Sequence, residues 1–153
     1  MANVLIVESP NKVKKIQGFV GNTYIVTSSK GHIRNMDPKK LSIDVENNFN
    51  PSYIITPDKM NVVRSLKHDC KNATTIWLAT DYDREGEAIA WHLSEVLKLK
   101  PENRKRIIFT EITKKAILNS IAKPGDIDMN MFYSQQARMV LDKLIGYKVS
   151  PTL

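Results

Sequence analysis

Two short apolar runs, each ending in carboxylates and each followed by a helical pattern, constrain this chain more than any other feature. Asn3 to Val7 is rich in β-branched residues and leads into Glu8-Ser9-Pro10, while Ile76 to Ala79 leads into Thr80-Asp81-Tyr82-Asp83-Arg84-Glu85-Gly86-Glu87. Uninterrupted apolar runs this short read as buried strands. After the first, Ser9 is placed to cap a helix, and Pro10 takes its first position, where a missing N–H costs nothing. Val13, Ile16 and Val20 then recur at helical spacing until Gly21. After the second, Ala88, Ile89, His92, Leu93, Val96 and Leu97 mark the inner face of another helix. Alternating strand and helix units predict an α/β fold: a mostly parallel, Rossmann-like sheet with helices on both faces.

The remaining segments fit the same scheme. Thr23 to Ser28 reads as a strand, and Lys30 to Arg34 as a loop carrying a Gly-His pair and closed by Pro38 and Lys39-Lys40. Asn47, Asn48, Asn50 and Pro51 break 41–57 into an irregular connection with one strand near Tyr53 to Thr56. A helix is expected over Asp58 to Cys70, a strand over Arg106 to Phe109, and a helix capped by Thr113 that runs to Ile121 and ends at Lys123-Pro124-Gly125. A last helix is expected from about Met131 to Tyr147. Its apolar stripe would be Ala137, Val140, Leu141, Leu144 and Ile145.

With 153 residues and 42% hydrophobic composition the chain can bury a core, which argues against disorder. The single Cys70 excludes an intramolecular disulfide and offers no zinc spacing, which fits a reducing cytoplasm. The first apolar run stops at Glu8 without a basic flank, so neither a signal peptide nor a membrane span is expected. A formal charge of +7 suits a partner rich in phosphates, yet equally keeps an ordinary surface solvated.

In an open parallel sheet the binding crevice lies at the carboxyl ends of the strands, and here two strands end in acid groups. Asp81 and Asp83, two apart in extended chain, can point the same way, and Glu85 can add a third oxygen donor. Such hard ligands suit Mg²⁺. The same residues also suit a helix N-terminus, where its dipole favours negative charge. Glu8 beside them would have its pKa raised and could hold a proton for general acid work; alone, it would be a solvated strand end. Lys12, four residues on, can reach a phosphate or simply be solvated. His32 follows a glycine that permits close backbone approach. Gln135, Arg138 and Asp142 share one face of the last helix.

These residues and their surroundings resemble the type IA DNA topoisomerases. The matching segments are Leu5 to Lys12, Ser28 to Arg34, Leu78 to Leu93, Phe109 to Thr113, and Gln135 to Arg138 through Gly146-Tyr147. Glu8 with Asp81-x-Asp83 is similar to the Toprim signature, shared with primases and some nucleases. The resemblance implies a Toprim domain over 1–130, with 131–153 beginning an adjoining helical DNA-binding domain. It implies Mg²⁺ held by Asp81, Asp83 and Glu85, with Glu8 close to the metal and acting on the leaving 3′ oxygen, and Lys12 stabilising the scissile phosphate. His32, Arg138, Asp142 and Lys143 would lie along a single-stranded DNA path. Met139 and Lys143 stand where the family commonly has arginine.

The activity so implied is ATP-independent relaxation of negatively supercoiled DNA in the cytoplasm, through a 5′-phosphotyrosine link, strand passage and religation. The family's nucleophilic tyrosine lies in a later domain, and none of Tyr24, Tyr53, Tyr82, Tyr133 or Tyr147 sits in a matching motif. The chain therefore reads as a truncated piece that acts with the remaining domains of one polypeptide. A Toprim nuclease or primase would use the same carboxylates to activate water or a nucleotide hydroxyl. An aspartyl phosphatase would use the first Asp of Asp-x-Asp as nucleophile, but that motif belongs on a first strand, unlike Asp81. A non-enzymatic module would use the acids only as caps.

Overall fold

The first strand, β1 (Ala2–Val7), is central because it is apolar on both sides: Val4 to Val7 are all at most 1% exposed. The structure, a computed structural model, describes residues 2–36, 43–44, 50–51 and 53–149, so Pro38, Lys39-Lys40 and most of the irregular connection lie outside the described residues. β1 pairs in parallel with β2 (Tyr24–Ser28) on one side and β7 (Ala73–Leu78) on the other; β8 (Arg104–Arg106) adds a fourth parallel strand beyond β7. The short strands β3 (Arg34–Met36) and β6 (Tyr53–Ile55) form one antiparallel pair, and β4 (Ile43–Asp44) and β5 (Asn50–Pro51) another.

Alternation along β1 divides the core into two layers. Val4 and Ile6, with Ile76 and Leu78, face α2 (Met60–Cys70) and α3 (Arg84–Val96) through Val63, Leu66, Ile89, Ala90 and Leu93. Leu5 and Val7, with Val26 and Trp77, face α1 (Val13–Val20) and α4 (Lys114–Ala122) through Ile16, Val20 and Ile117. Each fully buried aliphatic side chain contributes roughly 1.5–3 kcal/mol, which fixes the strand register because a one-residue slip would swap the two layers. The expected parallel sheet with helices on both faces is what forms.

Local details differ: the stretch over 30–57, expected to hold one strand near Tyr53 to Thr56, also forms β3, β4 and β5, and two further elements shift. The strand expected over Arg106 to Phe109 lies at Arg104–Arg106. β8 is an edge strand and needs no continuous apolar run, so its basic sequence hid it; Ile107 still donates to the Leu78 carbonyl at 3.0 Å before the chain leaves the sheet. The last helix, α5, spans Met129–Val149, but Leu141 and Ile145 of its expected apolar stripe are 57% and 52% exposed. Its anchor is Phe132, 2% exposed and stacked on Trp91 of α3 with ring centroids 4.2 Å apart.

Trp91 belongs to a cluster that ties α3 to the β3–β6 pair. The Arg34 guanidinium sits 5.2 Å from the Tyr53 ring and 5.3 Å from Trp91, and its Nε donates to His92 Nδ1 at 3.0 Å. Burial pushes the His92 pKa down to about 3, and the Arg34 and His32 charges act in the same direction. A depressed histidine pKa means that the unfolded chain takes up the proton first, so His92 contributes stability that is present above about pH 6.5 and lost as pH falls toward about 3. Denaturation of His92→Gln across that window should show a shallower loss of stability with acid than the parent; an identical slope would count against a neutral buried imidazole.

Candidate functional site

Both acid-bearing strand ends arrive at the same edge of the sheet. The Asp81 backbone N–H donates to Glu8 Oε1 at 3.2 Å, joining residues 73 positions apart, because β1 and β7 are adjacent and parallel. Lys12 Nζ lies 3.5 Å from Asp81 Oδ1. With both side chains well exposed, that pair adds little stability, at most about 1 kcal/mol, but it puts an ammonium at the acidic edge. Lys12 holds this place because Ser9 caps the turn before α1 and Pro10 begins it.

The loop after β2 brings in His32. Lys30 and Gly31 are both left-handed, with φ of 55° and 87°, and Gly31 N–H donates to the Glu8 carbonyl at 3.0 Å. This reversal aims His32 across to Glu85, with Nε2 2.9 Å from Glu85 Oε1. Asp83 caps α3, its Oδ1 accepting from the Gly86 N–H at 2.6 Å.

Of the expected metal residues, then, the Glu8 carboxylate meets the Asp81 backbone, while the carboxylates of Asp81, Asp83 and Glu85 turn toward Lys12, the Gly86 N–H and His32. Among the described residues no three of the His, Cys, Asp and Glu side chains converge closely enough to form a ready cation cage. The field of the group is still felt at Glu8: burial raises its pKa above the ordinary glutamate range, and the charges of Asp81, Asp83 and Glu85 push it further, against the hydrogen bond from Asp81. Arg138 and Asp142 are exposed on α5; the Lys143 side chain lies outside the described set.

Glu87, counted in the sequence with the acidic run, does not face this edge. Its side chain is 0% exposed and pairs with Arg106, itself 1% exposed. Arg106 Nε donates to Glu87 Oε1 at 2.9 Å, Nη1 donates to the carbonyls of Leu78, Thr80 and Ile107, and Nη2 to that of Asp81 at 2.9 Å. Glu87 Oε2 accepts from the Asp128 N–H at 2.9 Å, just before α5. The guanidinium thus holds the segment from Leu78 to Asp81 in place beneath the acidic edge.

Gly86 completes that support. A Cβ there would stand 1.9 Å from the Asp81 carbonyl oxygen, so only glycine lets the acidic turn fold down onto α3. Sequence reasoning missed Arg106 and the burial of Glu87. The available signal was an acid flanked by Gly86 and the small apolar Ala88-Ile89-Ala90, a setting that calls for a buried cation.

Comparison with known proteins matches residues 3–112 to the Toprim domain family. The whole chain is 50% identical over 153 residues to the prokaryotic-type DNA topoisomerase 1 of Acanthamoeba polyphaga mimivirus, of which it spans 17%. Full-length topoisomerase I of Thermotoga maritima superposes with a TM-score of 0.89 at 41% identity, over 98% of this chain and 26% of that one. The family match covers both strand ends that supply Glu8 and Asp81, and with them the parallel sheet that brings the two together: the chain belongs to the Toprim domain family.

Proposed function

We propose that this chain is the metal-binding Toprim portion of a type IA DNA topoisomerase, acting on a single-stranded segment of underwound DNA, without ATP, in the cytoplasm. The observation that carries the reading is the meeting of Glu8 and Asp81 at one sheet edge with Lys12 beside them, in a chain half identical to a topoisomerase along its length.

The acid edge suits a hard divalent cation. Its donors are carboxylate oxygens, and at Glu8 burial raises the pKa, with the charges of Asp81, Asp83 and Glu85 acting in the same direction. Asp81, Asp83 and Glu85 would hold Mg²⁺, with Glu8 close by; the cation would supply positive charge against a phosphodiester. Release of Glu85 from His32, and of Asp81 from Lys12, would free both oxygens, and His32 and Lys12 with them, for that arrangement. Glu8, with its raised pKa, is suited to keep a proton for a departing 3′ oxygen. Lys12 would contact the phosphate, and His32, Arg138, Asp142 and Lys143 would line the strand's path.

Residues 131–153 would begin the adjoining helical domain, whose neighbours would cover the exposed Leu141 and Ile145. The tyrosine nucleophile would come from that remainder of the polypeptide, so the 153-residue chain by itself should bind single strands weakly and relax nothing.

Calorimetric titration with Mg²⁺ tests the reading. The chain should bind the ion, and Asp81→Asn with Asp83→Asn should weaken binding at least about tenfold, since even the outer partners that orient metal ligands are worth that much. Unchanged binding in the double variant would remove the metal site, and supercoil relaxation by the chain alone would overturn the division of labour.

A further inference from the structure

A cavity of about 390 Å³ opens beside the acidic edge, and apart from Lys12 and Asp81 at its rim its lining carries none of the roles proposed above. Its size falls in the range of small-ligand pockets, roughly 300–1,000 Å³. It runs from Lys12 and Asp81 to the segment that follows β8, where Ile108, Phe109 and Glu111 form the far wall.

Two of its surfaces are apolar and open to solvent without an evident folding reason: Tyr82 is 58% and Ile108 39% exposed. Phe109, half-buried, packs into the core from behind and gives the wall rigidity. The Tyr82 ring stands in the middle of the acidic turn, and its flanking residues fix where it sits, since Asp81 is pinned by Arg106 and Asp83 caps α3.

The charge of the rim selects among occupants. Asp81 and Glu111 are acidic, and the one ammonium among the described lining residues, Lys12, already faces Asp81. A phosphate inside the cavity would meet two carboxylates, whereas a flat, neutral, polarizable group would lie against Tyr82 and Ile108 with its phosphate left at the mouth near Lys12. Nucleobases of single strands have this character and stack on aromatic side chains regardless of sequence.

We infer that this cavity seats one nucleobase of the bound single strand, stacked on Tyr82 and adjacent to the phosphate that Lys12 contacts. The inference rests on the DNA-processing reading above and adds a binding subsite to it. Tyr82 is a strand-positioning residue here: it fixes which nucleotide lies next to the acid edge.

Anisotropy of a fluorescein-labelled single-stranded 12-mer, in Mg²⁺ buffer, provides the test. Tyr82→Ala should weaken binding about tenfold while Tyr82→Phe stays within about twofold, as expected for loss and retention of one stacked base. Thermal melts should match the parent, since the side chain is exposed. In a series of oligonucleotides each lacking one base, a single position should weaken binding by the parent chain and leave Tyr82→Ala unaffected. Parent-like binding by Tyr82→Ala, or a base-loss series with no sensitive position, would overturn the subsite while leaving the DNA reading intact. Failure of the parent chain to bind the intact strand at all would overturn the DNA reading itself, and the subsite with it.

Discussion

Replacing Arg106 with methionine should cost the fold about 3–5 kcal/mol, the range for removing one partner of a buried ion pair. Methionine keeps much of the arginine stem's volume, so the loss would come from polar groups rather than from a hole. Glu87, at 0% exposure, would be left buried with no cationic partner. The carbonyls of Thr80, Asp81 and Ile107 would lose the Arg106 donor, whereas that of Leu78 would keep the Ile107 N–H.

Pairing Arg106→Met with Glu87→Leu removes the stranded charge, and elsewhere such apolar replacements of buried pairs have been neutral or better. Here the rescue should be partial. The carbonyls remain unpaired, and the Asp128 N–H loses the acceptor that ties the start of α5 to α3. Urea denaturation would place the single variant lowest, the double between it and the parent. A single-variant loss below about 1 kcal/mol would show that the pair is a passenger rather than the support of the acidic turn. Because the same guanidinium holds the Asp81 carbonyl, Mg²⁺ binding should weaken alongside stability in both variants.

The contrast between Arg106 and Glu8 explains what could be read from the sequence. Glu8 and Asp81 were legible because strand-end carboxylates on neighbouring parallel strands must share an edge, and two short apolar runs placed both strands. The helix caps Ser9 and Thr113 were legible for a similarly local reason, each accepting from a backbone N–H two or three residues on. Arg106 was not, because its importance lies wholly in long-range partners. Nothing in Arg104-Lys105-Arg106 distinguishes the buried arginine from Arg104, whose fork reaches the half-exposed Asp126 instead.

The acidic run shows the same limit from the other direction. Asp81, Asp83, Glu85 and Glu87 alternate in sequence, yet the turn into α3 sends each to a different partner: Lys12, the Gly86 N–H, His32 and Arg106. Where extended chain gives way to helix, a spacing of two no longer means a shared face. His32 is the converse case, a lone loop histidine in sequence that two consecutive left-handed residues deliver to Glu85.

Gly86→Ala should be nearly as damaging as loss of Arg106, although helix propensity favours alanine over glycine by about 1 kcal/mol. The new Cβ would meet the Asp81 carbonyl oxygen at 1.9 Å, with the Asp81 carbonyl carbon and nitrogen at 2.7 and 3.0 Å. All three are backbone atoms, so no side chain can swing aside; the acidic turn itself must lift by about an ångström. That movement would break the Arg106 contact to Asp81 and strain the Thr80 hydroxyl, which donates to the Gly86 carbonyl at 2.7 Å. Overpacking of this kind costs about 1–3 kcal/mol, and each hydrogen bond adds about 1 kcal/mol, so a net loss near 3 kcal/mol is expected. Gly18 supplies the control, since it sits inside α1 with nothing within 4 Å of its missing Cβ. Gly18→Ala should therefore stabilise the chain by about 0.5–1 kcal/mol. If denaturation showed both substitutions stabilising, the close approach of the acidic turn to α3 would be wrong, and with it the placement of Asp81 beside Glu8.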